Sequence, residues 1–218
     1  MVFDFDGTLA DTEWPIYERA HSAVAVLGGD LTVELWATHA VGVSQGEPFW
    51  DGIAEGLGID AAQSDFEEAF ASVNHLPLLR DSAEVTVGAV DLIVELHDEG
   101  VPLAVASGSG QEWVEHHLGR FGVLDRFSRV VGRDHPEVTA GKPAPDLYLV
   151  AAAELGVDPR DVIAVEDSAR GIASARAAGV GAVVAVPTRL TVHHDLSGAD
   201  LVVTGLSELS VATLQAHR

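Results

Sequence analysis

Two aspartates two residues apart, Asp4 and Asp6, end the first apolar run of the chain, in Asp4-Phe5-Asp6-Gly7-Thr8. Alternate residues of an extended backbone face the same side, so both carboxylates can converge on one small site. Carboxylates that close raise one another's pKa unless a proton or a cation is shared, and a hard divalent ion answers that need. An acidic turn with Gly7 as its permissive residue explains the same letters. A second apolar run leads into Ser107-Gly108-Ser109-Gly110 ahead of a helical pattern. Small residues there let backbone N–H groups and the Ser107 hydroxyl approach a phosphate at the positive end of a helix; Ser109 as an ordinary helix cap is the alternative. In Gly141-Lys142-Pro143-Ala144-Pro145-Asp146 the only lysine of the chain sits in a proline-stiffened turn. Where every other cation is Arg, a lysine suits a site that needs a compact point charge, although a surface position is also open to it. Finally, Glu166-Asp167-Ser168 places two more acids at the end of an apolar run, where Asp167 or Ser168 would also serve as a cap.

Such groups need a scaffold that brings distant segments together. Apolar runs at 2–5, 103–106, 130–131, 162–165, 182–186 and 201–203 read as buried strands of a parallel sheet. Between them, Ala89, Leu92, Ile93 and Leu96 share one helical face, as do Trp113, Val114, His117, Leu118 and Phe121. Alternating strands and helices mean an α/β fold, here a Rossmann-like doubly wound parallel sheet, which collects its ligands at the carboxyl ends of the strands. Gly100, Gly156 and Gly179 stand where three helices should end in a left-handed residue. Residues 14–80 break the rhythm, with helical patterns such as Ala20, Val24 and Leu27 or Phe66, Ala69, Phe70 and Val73. They predict a small α-helical domain, in which Trp36, Phe49 and Trp50 either form the interior or line a sugar pocket, inserted into a catalytic core of 1–13 plus 81–218.

The 218 residues carry a formal net charge of −22 and no cysteine. That charge argues against nucleic acid or anionic membranes as partners, because such binding rests on Lys and Arg neutralising phosphates; a solvated acidic surface and adaptation to high salt both account for it. Without cysteine, a metal must be held by oxygen or histidine nitrogen. His116-His117 and His193-His194 are adjacent pairs whose rings diverge, and they read as surface residues. No apolar stretch approaches the ~18 residues of a membrane span, and no basic leader precedes Asp4, so the cytoplasm is the expected location. Only Met1, Val2 and Phe3 precede Asp4, a short lead for a central strand, and an earlier natural start is the expectation.

Taken in order, these segments resemble the haloacid dehalogenase superfamily, in the branch with a small helical cap that includes β-phosphoglucomutase and many sugar-phosphate phosphatases. The stretch from Asp4 to Glu13 is similar to its first motif, Ser107 to its second, Lys142 to its third and Glu166-Asp167-Ser168 to its fourth. The resemblance implies a magnesium-dependent phosphatase for a small phosphate ester, acting as a monomer or weak homodimer. By it, Asp4 is the nucleophile that takes the phosphoryl group, and Asp6 protonates the leaving oxygen and later deprotonates water. Mg2+ is held by the Asp4 carboxylate, the Asp6 backbone carbonyl and Asp167, with Glu166 in support. Ser107, the Gly108 N–H and Lys142 hold the phosphate oxygens, and Lys142 also pairs with Asp4 and keeps it ionised. The helical insertion becomes a cap with hinges near 11–13 and 80–84, from which Glu13 and Tyr17 face the substrate. Val87, where relatives often have Pro before the glycine seen here as Gly88, is a small departure. Asp6 disfavours dehalogenation, which needs no acid for its leaving group. A sugar phosphomutase is the alternative, and the absence of histidine from Trp14-Pro15-Ile16-Tyr17 favours water as acceptor.

Overall fold

Short runs of Val, Ala and Ile can be buried on both faces only as strands sandwiched by helices, and they form such strands in the computed structural model, which describes residues 1–41, 49–73 and 83–216. In chain order the principal elements are β1 (Val2–Phe3), β2 (Ala10–Asp11), α1 (Glu13–Val26), α2 (Val33–His39), α3 (Trp50–Leu57), α4 (Gln63–Ser72) and β3 (Glu84–Val85). There follow α5 (Ala89–Asp98), β4 (Ala104–Ala106), α6 (Gln111–Arg120), β5 (Arg129–Val131), α7 (Asp146–Leu155), β6 (Ile163–Glu166), α8 (Ala169–Ala177), β7 (Ala182–Ala185), β8 (Leu201–Val202) and α9 (Val211–Gln215). The chain divides into two compact units, one of Met1–Asp11 with Val85–Arg218 and one of Thr12–Glu84.

In the first unit six parallel strands lie in the order β5-β4-β1-β6-β7-β8. The chain builds outward from β1 on one side, then returns to build outward on the other, so the order reverses between β1 and β6. The carboxyl ends of the strands at such a reversal open a crevice. The register sets Val2 beside Ala104 and Ala164, and Phe3 beside Val105 and Val165. Because successive side chains point to opposite faces, Phe3, Val105 and Val165 join Leu92, Ile93, Val114 and Leu118 in one core, and Val2, Ala104 and Ala164 join Leu147, Ala151 and Ala175 in the other. Helices therefore cover both faces. Gly156 ends α7 at φ 68°, and Gly100 and Gly179 adopt the same left-handed backbone that their positions predicted. β1 stops before its apolar run does: Phe5 is fully buried yet lies past the strand, because the backbone leaves the ladder at the acidic turn.

The second unit is helical where described. Ala20, Val24, Ile53 and Phe66 are fully buried in it, and Trp50 stacks on Phe66 with ring centroids 4.8 Å apart and planes 8° from parallel. Trp36 packs edge-on to the half-buried Phe49, and the buried Trp36 and Trp50 belong to the interior of the unit. Thr32 caps α2 by accepting from the Leu35 N–H at 3.2 Å.

Candidate active site

Asp4 is the first residue past β1, and its N–H donates to the Val165 carbonyl at 2.9 Å, so the ladder itself delivers its carboxylate to the strand end. The chain then folds back at once, with the Leu9 and Ala10 N–H groups both donating to the Phe5 carbonyl, at 2.9 and 3.1 Å. Gly7 makes that turn possible twice over: its φ is +87°, and a Cβ there would stand 2.5 Å from Asp167 Oδ2. At the end of the neighbouring strand β6, Glu166 is fully buried and Asp167 nearly so.

Lys142 ties these acids together. Its Nζ lies 2.5 Å from Asp4 Oδ1 and 2.6 Å from Glu166 Oε1, with little of any of the three side chains exposed. The loop that carries it is held from three directions. Asp146 accepts from the Thr139 N–H and hydroxyl and from the Ala140 N–H, Arg170 donates to the Lys142 carbonyl at 2.6 Å, and Ser174 donates to the Ala144 carbonyl at 2.6 Å. Lysine is the residue the geometry wants, a single charge shared by two carboxylates. Tyr148, buried on α7, donates to the same Glu166 Oε1 at 2.6 Å, and its ring lies 5.4 Å from the ammonium. Sequence reading missed Tyr148; its signal was a lone tyrosine in an aliphatic stripe of Leu147, Val150 and Ala151, where a buried hydroxyl needs an acceptor.

Oxygens of Asp4, Glu166 and Asp167 lie within 4.8 Å of one another. Glu166 Oε2 is buried with no hydrogen-bond partner, although its sister oxygen takes two. Burial foremost, with the charges of Glu166 and Asp6, raises the Asp4 carboxyl to about 7 against the downward pull of Lys142. Burial would lower the Lys142 ammonium, but Asp4 and Glu166 outweigh it and hold its pKa above the usual lysine value. Lys142 thus pairs with Asp4, as expected. An orphaned buried oxygen and an all-carboxylate donor set with one lysine among them fit a hard divalent cation.

The Asp6 side chain points elsewhere. It accepts from Ser107 Oγ at 3.1 Å, Ser109 Oγ at 2.7 Å and Trp113 Nε1 at 3.4 Å. Its carboxylate is therefore outside the three-acid cluster, and only its backbone carbonyl is left for the metal role that the resemblance implies. Ser107 is fully buried and Gly108 exposed beside it. Ser109 does not cap α6; Asp134 does, accepting from the Gln111 N–H at 2.8 Å. Ser168 does act as a cap, accepting from the Gly171 N–H at 3.2 Å, which leaves Asp167 to the acidic cluster. Thr191 supports Asp167, donating to its Oδ2 at 3.4 Å, from a loop with no motif that would have drawn attention to it.

Two expectations need correction. Tyr17 is buried within the helical unit, and its hydroxyl donates to the Leu31 carbonyl at 3.0 Å, so it packs that unit and does not offer itself to a substrate. Glu13 opens α1 of the same unit. His117 is not a surface residue but fully buried, because it lies on the same helical stripe as Val114 and Leu118. Of the second expected hinge, residues 80–82 lie outside the described residues.

With this geometry the family question has a direct answer, since the haloacid dehalogenase-like hydrolase family matches residues 1–179. The chain belongs to that family. Among relatives of this haloacid dehalogenase-like hydrolase is the fructose-1-phosphate phosphatase YqaB of Escherichia coli, 35% identical over 187 residues that cover 84% of this chain and 94% of the relative. A family hydrolase from Deinococcus radiodurans, solved with bound phosphate and sodium, is 27% identical with a TM-score of 0.80, covering 99% of this chain and 94% of that one. β-Phosphoglucomutase from Clostridium difficile, 21% identical with a TM-score of 0.70 over 99% of this chain and 95% of that one, shares the fold.

Proposed function

We propose that this phosphoric monoester hydrolase is a magnesium-dependent phosphatase for a small metabolite, with a sugar phosphate the favoured class, working through a phosphoryl group carried on Asp4. The observation that carries the reading is the shared lysine: Lys142 bridges the buried nucleophile candidate and Glu166 beside an unpaired carboxylate oxygen. Asp4, Asp167 and the Asp6 carbonyl, with Glu166 in support, would hold Mg2+, which when bound supplies the positive charge that lets an anionic carboxylate meet an anionic phosphoryl group. An Asp4 carboxylate oxygen attacks phosphorus in line, the ester P–O bond breaks, and Asp6 gives its proton to the departing oxygen. Asp6 then takes a proton from water as that water attacks phosphorus, the P–O bond to Asp4 breaks, and inorganic phosphate leaves with Asp4 restored. Ser107, the Gly108 N–H and Lys142 hold the equatorial oxygens, where charge gathers in the transition state.

The helical unit serves as the cap, with a hinge near residues 11–13. The net charge of −22 supports small phosphate esters over nucleic acid as partners. No described helix is long and apolar enough to cross a membrane, and a cytoplasmic location suits such a substrate. The relatives' named substrates guide the test: a panel of sugar, polyol and nucleoside phosphates with Mg2+, reading both free phosphate and isomerised sugar phosphate. Free phosphate is the expected product, and Asp4→Asn should lower its release at least about 10³-fold. Isomer without free phosphate would make the protein a phosphomutase.

A further inference from the structure

We propose that Ser109 and Trp113 are positioning residues that, with Ser107, form a cradle fixing the carboxylate of Asp6. The inference rests on the reading of Asp6 as the acid and base of phosphoryl transfer, and takes that reading to the residues that aim it. All three donors come from one segment, the end of β4 and the first turn of α6, and they divide between the two oxygens. Ser107 and Ser109 hydroxyls meet Oδ2, and the Trp113 indole N–H meets Oδ1. A carboxylate gripped on both oxygens is fixed in rotation as well as in place. The hydroxyl hydrogens are directed too. Ser107 Oγ accepts from the Ser109 N–H at 2.9 Å, which leaves its own hydrogen for Asp6 until a bound phosphate claims it, and Ser109 and Trp113 then keep the hold on both oxygens. An indole N–H can only donate, so Trp113 can serve only an acceptor here.

Trp113 is itself held in place. His117, one turn on, is fully buried; its Nδ1 lies 2.8 Å from the Trp113 carbonyl and must therefore carry the proton. The imidazole packs on the indole with centroids 4.3 Å apart and reaches Phe5, which lies between the two catalytic aspartates, at 5.9 Å. Buried His117, Trp113 and Asp6 thus form a continuous run of contacts from the core of the sheet to the site.

The test uses two esters of like shape that differ in how much the departing oxygen needs a proton. Phenol has a pKa near 10, like tyrosine, whereas p-nitrophenolate leaves readily as the anion. With kcat/KM, which reports only steps up to release of the phenol, the ratio of p-nitrophenyl to phenyl phosphate should rise about tenfold in Trp113→Phe and in Ser109→Ala, as expected for losing one hydrogen bond to a charged group. Asp6→Asn sets the upper limit of that ratio. Structural damage would lower both esters together, so an unmoved ratio in both variants overturns the proposal. Indole N–H resonances give a readout that needs no turnover: the signal that disappears in Trp113→Phe should shift in Asp6→Ala, and an unshifted signal overturns the cradle. Failure of the unaltered protein to cleave p-nitrophenyl phosphate with Mg2+ would count against the phosphatase reading, and the resonance would still judge the cradle.

Discussion

Glu166 carries an unusual load for one carboxylate: no exposure, two donors on one oxygen and none on the other. A buried acid so placed is sensitive to the loss of any partner, because the desolvation cost stays when the hydrogen bond goes. Tyr148→Phe removes one donor and little volume. It is expected to cost about 1–3 kcal/mol in thermal or denaturant unfolding and to raise the Mg2+ concentration needed for half-maximal activity. Unfolding and activation curves indistinguishable from those of the parent protein would assign Tyr148 to packing alone. Lys142 owes its place to the same economy, since one ammonium serves two acids where a planar guanidinium would need room for a fork.

At the scale of elements, the site depends on how closely turns and helices approach. Gly171 lies in the first turn of α8, and a Cβ there would fall on the Glu166 carboxylate. Glycine to alanine inside a helix ordinarily gains about 1 kcal/mol, but here overpacking of about 1–3 kcal/mol opposes it. Gly171→Ala should therefore lower the unfolding midpoint and impair magnesium-dependent turnover together. A higher midpoint would show that Glu166 can yield. Asp146 works on the Lys142 loop from outside: hydrogen bonds from the Thr139 hydroxyl and from the Thr139 and Ala140 N–H groups hold its carboxyl below the ordinary value of 3.8. A lowered folded-state pKa gives stability that is present above the unfolded value and is lost as pH falls through the folded one. The stability difference between the parent and Asp146→Ala should thus be flat above about pH 4 and shrink as the pH drops below it. A difference that grew on acidification would reverse the assigned cause.

Over the whole molecule, a net charge of −22 opposes the approach of any phosphorylated substrate, and the reversal that Lys142 and the proposed cation would supply is local. Long-range repulsion is screened over about 10 Å at 0.1 M salt. KM for a phosphate ester should fall as ionic strength rises from low to moderate values at saturating Mg2+, with kcat little changed. A KM flat across that range would mean that the local charges already dominate the encounter.

The strand runs, the glycines that end three helices, the helical insertion and the four chemical segments were all legible in the linear chain, because each is set by local rules: apolar period, turn backbone and residue chemistry. Asp4, Glu166, Asp167 and Lys142 do come together, since a parallel sheet brings its carboxyl ends to one crevice. Contacts that residues outside the four motifs make with them were not legible. Tyr148 on Glu166, Trp113 and Ser109 on Asp6, and Arg170 on the Lys142 loop each need two chain positions and a distance. The same holds for Tyr17, whose nearness in sequence to the catalytic loop suggested a substrate contact until packing gave its hydroxyl to Leu31. Residue chemistry nominates the groups that react; only the folded chain decides which neighbours bury, aim and charge them, because those effects act through space and fall off within a few ångströms.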